Sequence, residues 1–459
     1  MMKKRVDGIA KPTRRQLLRA GLATGASGFG IGALGPAVTA QADDQWWRNV
    51  LDPTRRFSTT RDADREARSR TRQRATLDDL RKGPVPLRSD EMFDYLQTAI
   101  ERYQQIAAQG GWPEVPGPRM MRPGEDDRRV PVLRRRLRAS GDLGRARYNY
   151  EDYTFDGELE EAVKRFQMRH GLRARGRVDR PTFAALNISA DLRLQQLRLN
   201  QQRIRELLRD RIEDRYVLVN VPGYQLEAVE RFEVQQRHRV IVGRPGRETP
   251  SIKASIRALN FFPYWRVPQS VARSDLIPQL RRDPTYLEKE HIKAKLGSYD
   301  AEPLDPRTVD WTTADPSKIL FRQDPGKWNA LGLVRIDMPN KHIVYMHDTP
   351  MKQLFGRPAR AYSAGCVRVH EVMKLADWIA RKEAGWAEPG RADEIVEGGT
   401  ALTVDLTRPV PVYFTYVTAW GEADGTVSFR PDIYDRDGSR VFAGDIDPDA
   451  PAVPLTLTP

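Results

Sequence analysis

Tyr345-Met346-His347-Asp348-Thr349-Pro350, followed further on by Tyr362-Ser363-Ala364-Gly365-Cys366-Val367-Arg368-Val369, is the stretch on which the reading of this chain turns. It contains the only cysteine among 459 residues. His347 ends an apolar run, and Cys366 follows a glycine, so a thiol and an imidazole with the chemistry of nucleophile and base stand close in sequence. If 343–347 is a strand, its period of two puts Tyr345 and His347 on one face. After Cys366 the pattern turns helical, with Val372, Leu375, Ala376 and Ile379 at i, i+3, i+4 and i+7. That places the thiol just ahead of a helix N-terminus, where the helix dipole and Arg368 favour thiolate. Gly365 permits close backbone approach, so amides near Cys366 and the Tyr345 hydroxyl are candidate donors to a developing oxyanion.

His347 and then Ser363-x-Gly365-Cys366 with Arg368 two positions on closely resemble the signature of the L,D-transpeptidases, the YkuD-type catalytic domain. The wider phrase is similar to the large, multi-domain periplasmic branch: His-Asp-Thr-Pro, Leu354-Phe355, Arg360-Ala361-Tyr362-Ser363 and Gly-Cys-Val-Arg-Val. One departure is Ala364, where many members carry a second histidine, which bears on a secondary hydrogen bond and not on the base.

Working outward, the composition bounds the alternatives. A 39% hydrophobic chain of this length buries a real core and has two to four domains. One cysteine excludes an internal disulfide framework. Residues 1–42 read as a targeting segment: Lys3, Lys4, Arg5 and Lys11 are a basic leader, and Thr13-Arg14-Arg15-Gln16-Leu17-Leu18 resembles a twin-arginine export motif. An uncharged Gly/Ala-rich run then leads to Ala40-Gln41-Ala42, a small-residue cleavage site. Export to the periplasm is the expectation. Removing that segment lowers the net charge from +14 to about +8. A basic chain of this kind suits an anionic wall or membrane surface, and it carries no nucleic-acid motif.

Residues 43–128 read as a charged arm and a helical scaffold. Ser89 caps a helix with Met92, Tyr95, Leu96, Ile100, Tyr103 and Ile106 on one face, stopped by Gly110-Gly111. Residues 129–188 resemble the small three-helix type-one peptidoglycan-binding module, from Leu133 and Leu137 through Phe155-Asp156-Gly157, Phe166-Gln167, Gly171-Leu172 and Val178-Asp179 to Leu186. A scaffold helix over 189–215 follows, packing against the first. From Tyr216 the period becomes two, with turns at Pro222-Gly223 and Pro245-Gly246, and many short strands predict a mainly-β catalytic domain over 216–400 that curls on itself. Within it, about 273–328 is a polar insertion with helices near 276–280 and 286–295, which the resemblance implies is a capping subdomain. Trp265, just before it, is a candidate for the floor of a substrate groove. Residues 401–459 give closing strands and a Pro-rich tail. The fold class is therefore α+β and multi-domain.

What the resemblance implies is two-step acyl transfer without metal or cofactor; the scattered histidines lack the spacing of a zinc site. Cys366, activated by His347, would attack the third residue of a peptidoglycan tetrapeptide stem and release D-alanine. A diamino-acid side chain of a neighbouring stem would resolve the thioester. Tyr345, Gly365 and Ser363 would serve the oxyanion and the turn, and Arg368 the site or a substrate carboxylate. Asp348 would point to the opposite strand face from His347, which leaves a backbone carbonyl to orient the imidazole. Three rivals remain open in the sequence: an L,D-carboxypeptidase using water, an enzyme attaching a protein lysine to the wall, and a non-catalytic wall-binding protein.

Overall fold

The computed structural model describes residues 79–117, 119–144 and 152–439. The targeting segment 1–42, the arm up to residue 78 and the tail from 440 lie outside the described residues.

Helix α1 (Asp90–Ala108) starts where Ser89 accepts the Met92 amide at 3.1 Å, and α5 (Ala190–Leu207) starts at Ser189 in the same way. Their apolar stripes meet: Met92, Leu96, Ile100 and Tyr103 pack with Leu194, Leu197 and Ile204, and with Tyr216 and Leu218 of the sheet below. Between them lie α2 (Val130–Ala139), α3 (Gly157–Arg169) and α4 (Arg180–Leu186) around their own core of Leu133, Leu137, Leu159, Val163 and Phe166. Asp156 and Asp179 cap α3 and α4. This is the expected three-helix module. It is fastened at its seam, since Arg169 pairs with Asp142 at 2.6 Å and donates to the Val427 carbonyl at 2.9 Å. His170, stacked on Phe166, also stacks on Phe429.

The strands of the main sheet are β1 (Arg215–Asn220), β2 (Gln225–Glu230), β3 (Glu233–Gly243), β4 (Ile252–Phe261), β8 (Val334–Asp337), β9 (Met346–His347), β10 (Ala361–Ser363), β11 (Val367–Val369) and β12 (Leu402–Thr415). They form one sheet in the order β10-β3-β11-β9-β8-β4-β12-β1-β2, and β2 pairs again with β3. The sheet thus closes on itself, which leaves no long unpaired edge. β12 lies between β4 and β1, so the closing strand is integral to this sheet. Helix α6 (Val372–Ala380) buries Val372, Leu375, Ala376 and Ile379 in the main core, with α7 (Arg391–Gly398) beside it. Among the described residues no helix is long and apolar enough to cross a membrane.

A second sheet builds the insertion: β5 (Trp265–Arg266), β6 (Ile292–Leu296) and β7 (Ile319–Gln323), ordered β5-β7-β6. Its core of Trp265, Val271, Leu276, Leu280, Trp311 and Phe321 also receives Tyr345 and Ala364. The insertion therefore begins at Trp265, earlier than the polar composition suggested, because the aromatic run over 261–265 reads in sequence as a continuation of the strand before it. The helix expected near 286–295 ends at Lys289, and Ile292–Leu296 is a strand whose alternate residues Ile292 and Ala294 are buried. The regular strand expected over 343–347 is also corrected. Ile343 has φ +55°, and Asn340 Oδ1 and Nδ2 bond to backbone groups of the turn, so only Met346–His347 is extended and paired.

Glu227 anchors residues 81–87 to the sheet. Fully buried, it accepts from Arg81 at 2.9 Å, from Arg237 at 3.1 Å and from the Leu87 amide at 2.8 Å. Glu227→Ala would leave Arg81 its second carboxylate, Glu422 at 3.1 Å, but would strip the Leu87 amide, Arg237 and one side of the buried Arg81 of this acceptor. A loss of about 3–5 kcal/mol is expected, read by denaturant unfolding.

Candidate active site

The parallel pairing of β9 with β11 sets His347 opposite Arg368, and the antiparallel pairing of β9 with β8 sets Arg335 opposite His347. Arg335, His347 and Arg368 are therefore a cross-strand row on one face. Tyr345 and Cys366 immediately precede β9 and β11, and Tyr345 touches both the His347 ring and the Cys366 sulfur. Met346, Ile336 and Val367 point the other way into the core. The sequence placed Tyr345 with His347, and the rings meet edge-on with centroids 5.7 Å apart.

His347 is fully buried, and its Nδ1 lies 2.5 Å from the backbone carbonyl of Asp348. A carbonyl only accepts, so Nδ1 carries the proton and Nε2 keeps its lone pair. Nε2 is buried and has no hydrogen-bond partner among the described residues. The Asp348 carboxylate is directed elsewhere, to the Leu333 amide at 3.0 Å and to Lys352. Burial, and then the charge of Arg368, push the imidazole pKa down to about 3.

Cys366 is a free, buried thiol. Burial pushes its pKa up to about 11, against hydrogen bonds from the backbone and hydroxyl of Tyr345 and the charges of Arg368 and Arg335. The thiolate expected from a helix N-terminus is thus not the favoured form. Strand β11 intervenes, so α6 begins six residues after the sulfur and its dipole does not reach it. Tyr345 has its own pKa held well above the ordinary value by burial and by the neighbouring sulfur.

The turn that carries Cys366 is tied internally. Ser363 Oγ donates to the Cys366 carbonyl at 2.5 Å and accepts the Gly365 amide at 3.1 Å, so this hydroxyl and this amide are both occupied by the turn. That removes Ser363 and the Gly365 N–H from the expected oxyanion donors. Gly365 has φ +124°, a region disfavoured for any residue with a Cβ. Thr249 Oγ1 donates to the Gly365 carbonyl at 2.8 Å and accepts the Gly243 amide at 2.8 Å. Arg368, 1% exposed, has Nε and Nη2 without partners and contacts Met351 Sδ at 3.8 Å through Nη1. Burial lowers its pKa to about 10. Trp265 is fully buried, so it is not an open groove floor; its indole N–H lies beside the Tyr345 hydroxyl.

Two residues escaped the sequence reading. Arg335, paired with Asp337 at 2.6 Å, joins the site only through strand register, and Thr249 only through a loop crossing. Among the described residues no cluster of three or more His, Cys, Asp or Glu could hold a metal ion.

Comparison with known proteins adds an independent line. The model of the L,D-transpeptidase catalytic domain, YkuD, matches residues 214–412, which reach every strand of the closed sheet, stopping within β12, and include the whole insertion. The chain carries an L,D-transpeptidase catalytic domain. The model described as "Putative peptidoglycan binding domain" matches residues 127–186, the three-helix module. A curated protein of Haemophilus influenzae, named "Putative L,D-transpeptidase", is 35% identical over 261 residues, covering 56% of this chain and 50% of that one. The chain thus spans about half the length of the curated relative. Solved L,D-transpeptidases align at low similarity: that of Stackebrandtia nassauensis at 14% identity and TM-score 0.24, over 64% of this chain and 94% of that one. That of Xylanimonas cellulosilytica aligns at 15% and 0.19, over 65% and 98%. In this L,D-transpeptidase domain the candidate thiol and imidazole both lie within the matched residues.

Proposed function

We propose that the protein is a peptidoglycan L,D-transpeptidase in which Cys366 is the nucleophile and His347 the base. The observation that carries this is the fixed tautomer of His347: with Nδ1 committed to the Asp348 carbonyl, the buried Nε2 is left without a partner, and Tyr345 contacts both this imidazole and the only thiol. The thiol proton passes to Nε2 as sulfur bonds to the carbonyl carbon of the third stem residue. The oxyanion is met by the Cys366 amide and the Tyr345 hydroxyl, the Gly365 amide being engaged by Ser363. Collapse breaks the carbon–nitrogen bond, the imidazolium gives its proton to the departing D-alanine, and a thioester remains. A side-chain amine of a second stem then attacks the thioester, returning the thiol and forming a cross-link between third residues.

Mass spectrometry of products from the full chain and disaccharide-tetrapeptide tests this. A cross-linked dimer lacking one D-alanine is expected. Tripeptide alone would make water the acceptor and replace this reading with a carboxypeptidase; no product at all would sink both.

The resting pair is uncharged. His347 stays neutral down to about pH 3 and Cys366 stays protonated up to about pH 11, so neither changes charge near neutrality. The rate of single-turnover acylation is therefore expected to vary less than about twofold from about pH 5 to 9. An acidic limb near the ordinary imidazole value would refute the neutral pair. Stability has the matching sign: below 6.5 the unfolded chain binds the proton that native His347 refuses, so this group destabilises as pH falls towards 3.

A further inference from the structure

The outer face of the three-stranded insertion sheet has a composition that folding does not explain. The row Trp265, Gln323 and Ile292 points inward and is buried. Its neighbours Arg266, Arg322 and Lys293 are also in register across β5, β7 and β6, and they point outward. Three cations sit side by side at the strand spacing of about 5 Å. Like charges directly opposite each other weaken a sheet. Among the described residues the one carboxylate paired to the row is Asp324, 2.7 Å from Lys293.

Both guanidiniums are held over aromatic rings. Arg322 lies 4.5 Å from the centre of the Tyr264 ring, which is 49% exposed, and Arg266 lies 4.8 Å from Tyr299. A guanidinium stacked in this way presents a pre-oriented fork to a planar carboxylate, and the tyrosines beside it offer apolar faces. Arg322 Nε is buried without a partner.

We infer that this face binds a carboxylate-bearing strand of peptidoglycan, the stem carboxylates meeting the arginine row while the polymer runs over the tyrosines. The inference rests on the transpeptidase reading, and it assigns the wall polymer a second contact, separate from the buried Cys366 and His347. Three charges, two of them immobilised on rings, are fewer and stiffer than the basic clusters that hold anionic lipid surfaces.

The test uses the full chain and its Arg266→Gln, Lys293→Gln double variant, which leaves the half-buried Arg322 and the inner row in place. Co-sedimentation with purified sacculi is measured beside turnover of soluble disaccharide-tetrapeptide. The expected result is a roughly fivefold loss of sacculus binding, two exposed ion pairs being removed, with soluble turnover unchanged. Sacculi whose carboxylates have been amidated should bind the wild type as weakly as native sacculi bind the variant. Equal sedimentation of variant and wild type on native sacculi would overturn the proposal. So would a loss confined to vesicles of anionic phospholipid. Failure of the wild type to turn over the soluble substrate would count against the transpeptidase reading alone, because the sedimentation difference is read without turnover.

Discussion

Replacement of Cys366 by alanine is expected to abolish transpeptidation, lowering kcat by on the order of 10⁵-fold or more, as loss of a covalent nucleophile does elsewhere. The reason lies in the surroundings of the sulfur. No other thiol exists in the chain, and the hydroxyl nearest in sequence, that of Ser363, is held between the Cys366 carbonyl and the Gly365 amide. The Tyr345 hydroxyl is hydrogen-bonded to the sulfur and held well above its ordinary pKa, so it is a poor substitute nucleophile. The variant should fold, because exchanging a buried thiol for a methyl removes one heavy atom and is expected to cost only about 1 kcal/mol. Two measurements separate chemistry from folding: the dimer and tripeptide products vanish, while co-sedimentation with sacculi stays at the wild-type level. Product formation at even a hundredth of the wild-type rate would require a different nucleophile.

His347→Gln is expected to lower the acylation rate by about 10²- to 10⁴-fold, the range of a single general base. Glutamine approximates the size of the ring and can donate to the Asp348 carbonyl, but it has no lone pair basic enough to accept the thiol proton. The neutral pair makes a distinctive corollary. With the base gone, attack depends on spontaneous ionisation of a thiol whose pKa is pushed up to about 11, so the residual rate should climb tenfold per pH unit through neutrality. The wild-type rate should stay flat over the same range. A variant with a flat profile would show that His347 acts on something other than the thiol proton.

Much of this site is written locally in the chain. The Ser-x-Gly-Cys turn needs its glycine at a positive φ and its serine within hydrogen-bonding reach, both short-range demands that leave a motif. One helix announces itself through its cap Ser89, and Asp156, Asp179 and Ser189 prove to cap others in the same way. What escapes is fixed by register and burial. Arg335 neighbours His347 because β8 pairs with β9 in one alignment, and a shift of a single residue would turn its side chain to the other face. The ionisation of Cys366 was misjudged for a related reason: a nearby arginine and a helix start can be seen in the sequence, but the desolvation that outweighs them cannot. Trp265 looked like a groove floor because aromatic runs line both grooves and cores, and only the insertion's own core shows which applies. Ile343, with a β-branched side chain 79% exposed at a left-handed φ, violates the local rule that made 343–347 look like a strand.

The loop between β3 and β4 does two jobs within six residues. Arg244 and Arg247 hold Asp275 of the insertion, and Thr249 holds the carbonyl of Gly365 next to Cys366. Insertion and Cys366 turn are therefore not interchangeable cassettes. A chimera that receives a foreign insertion while keeping its own 244–249 would lose the Asp275 clamp, and one that exchanges 244–249 alone would loosen the turn beneath Cys366. Grafts should transfer the two segments as one inheritance unit, and sequence drift in either is expected to be answered by drift in the other.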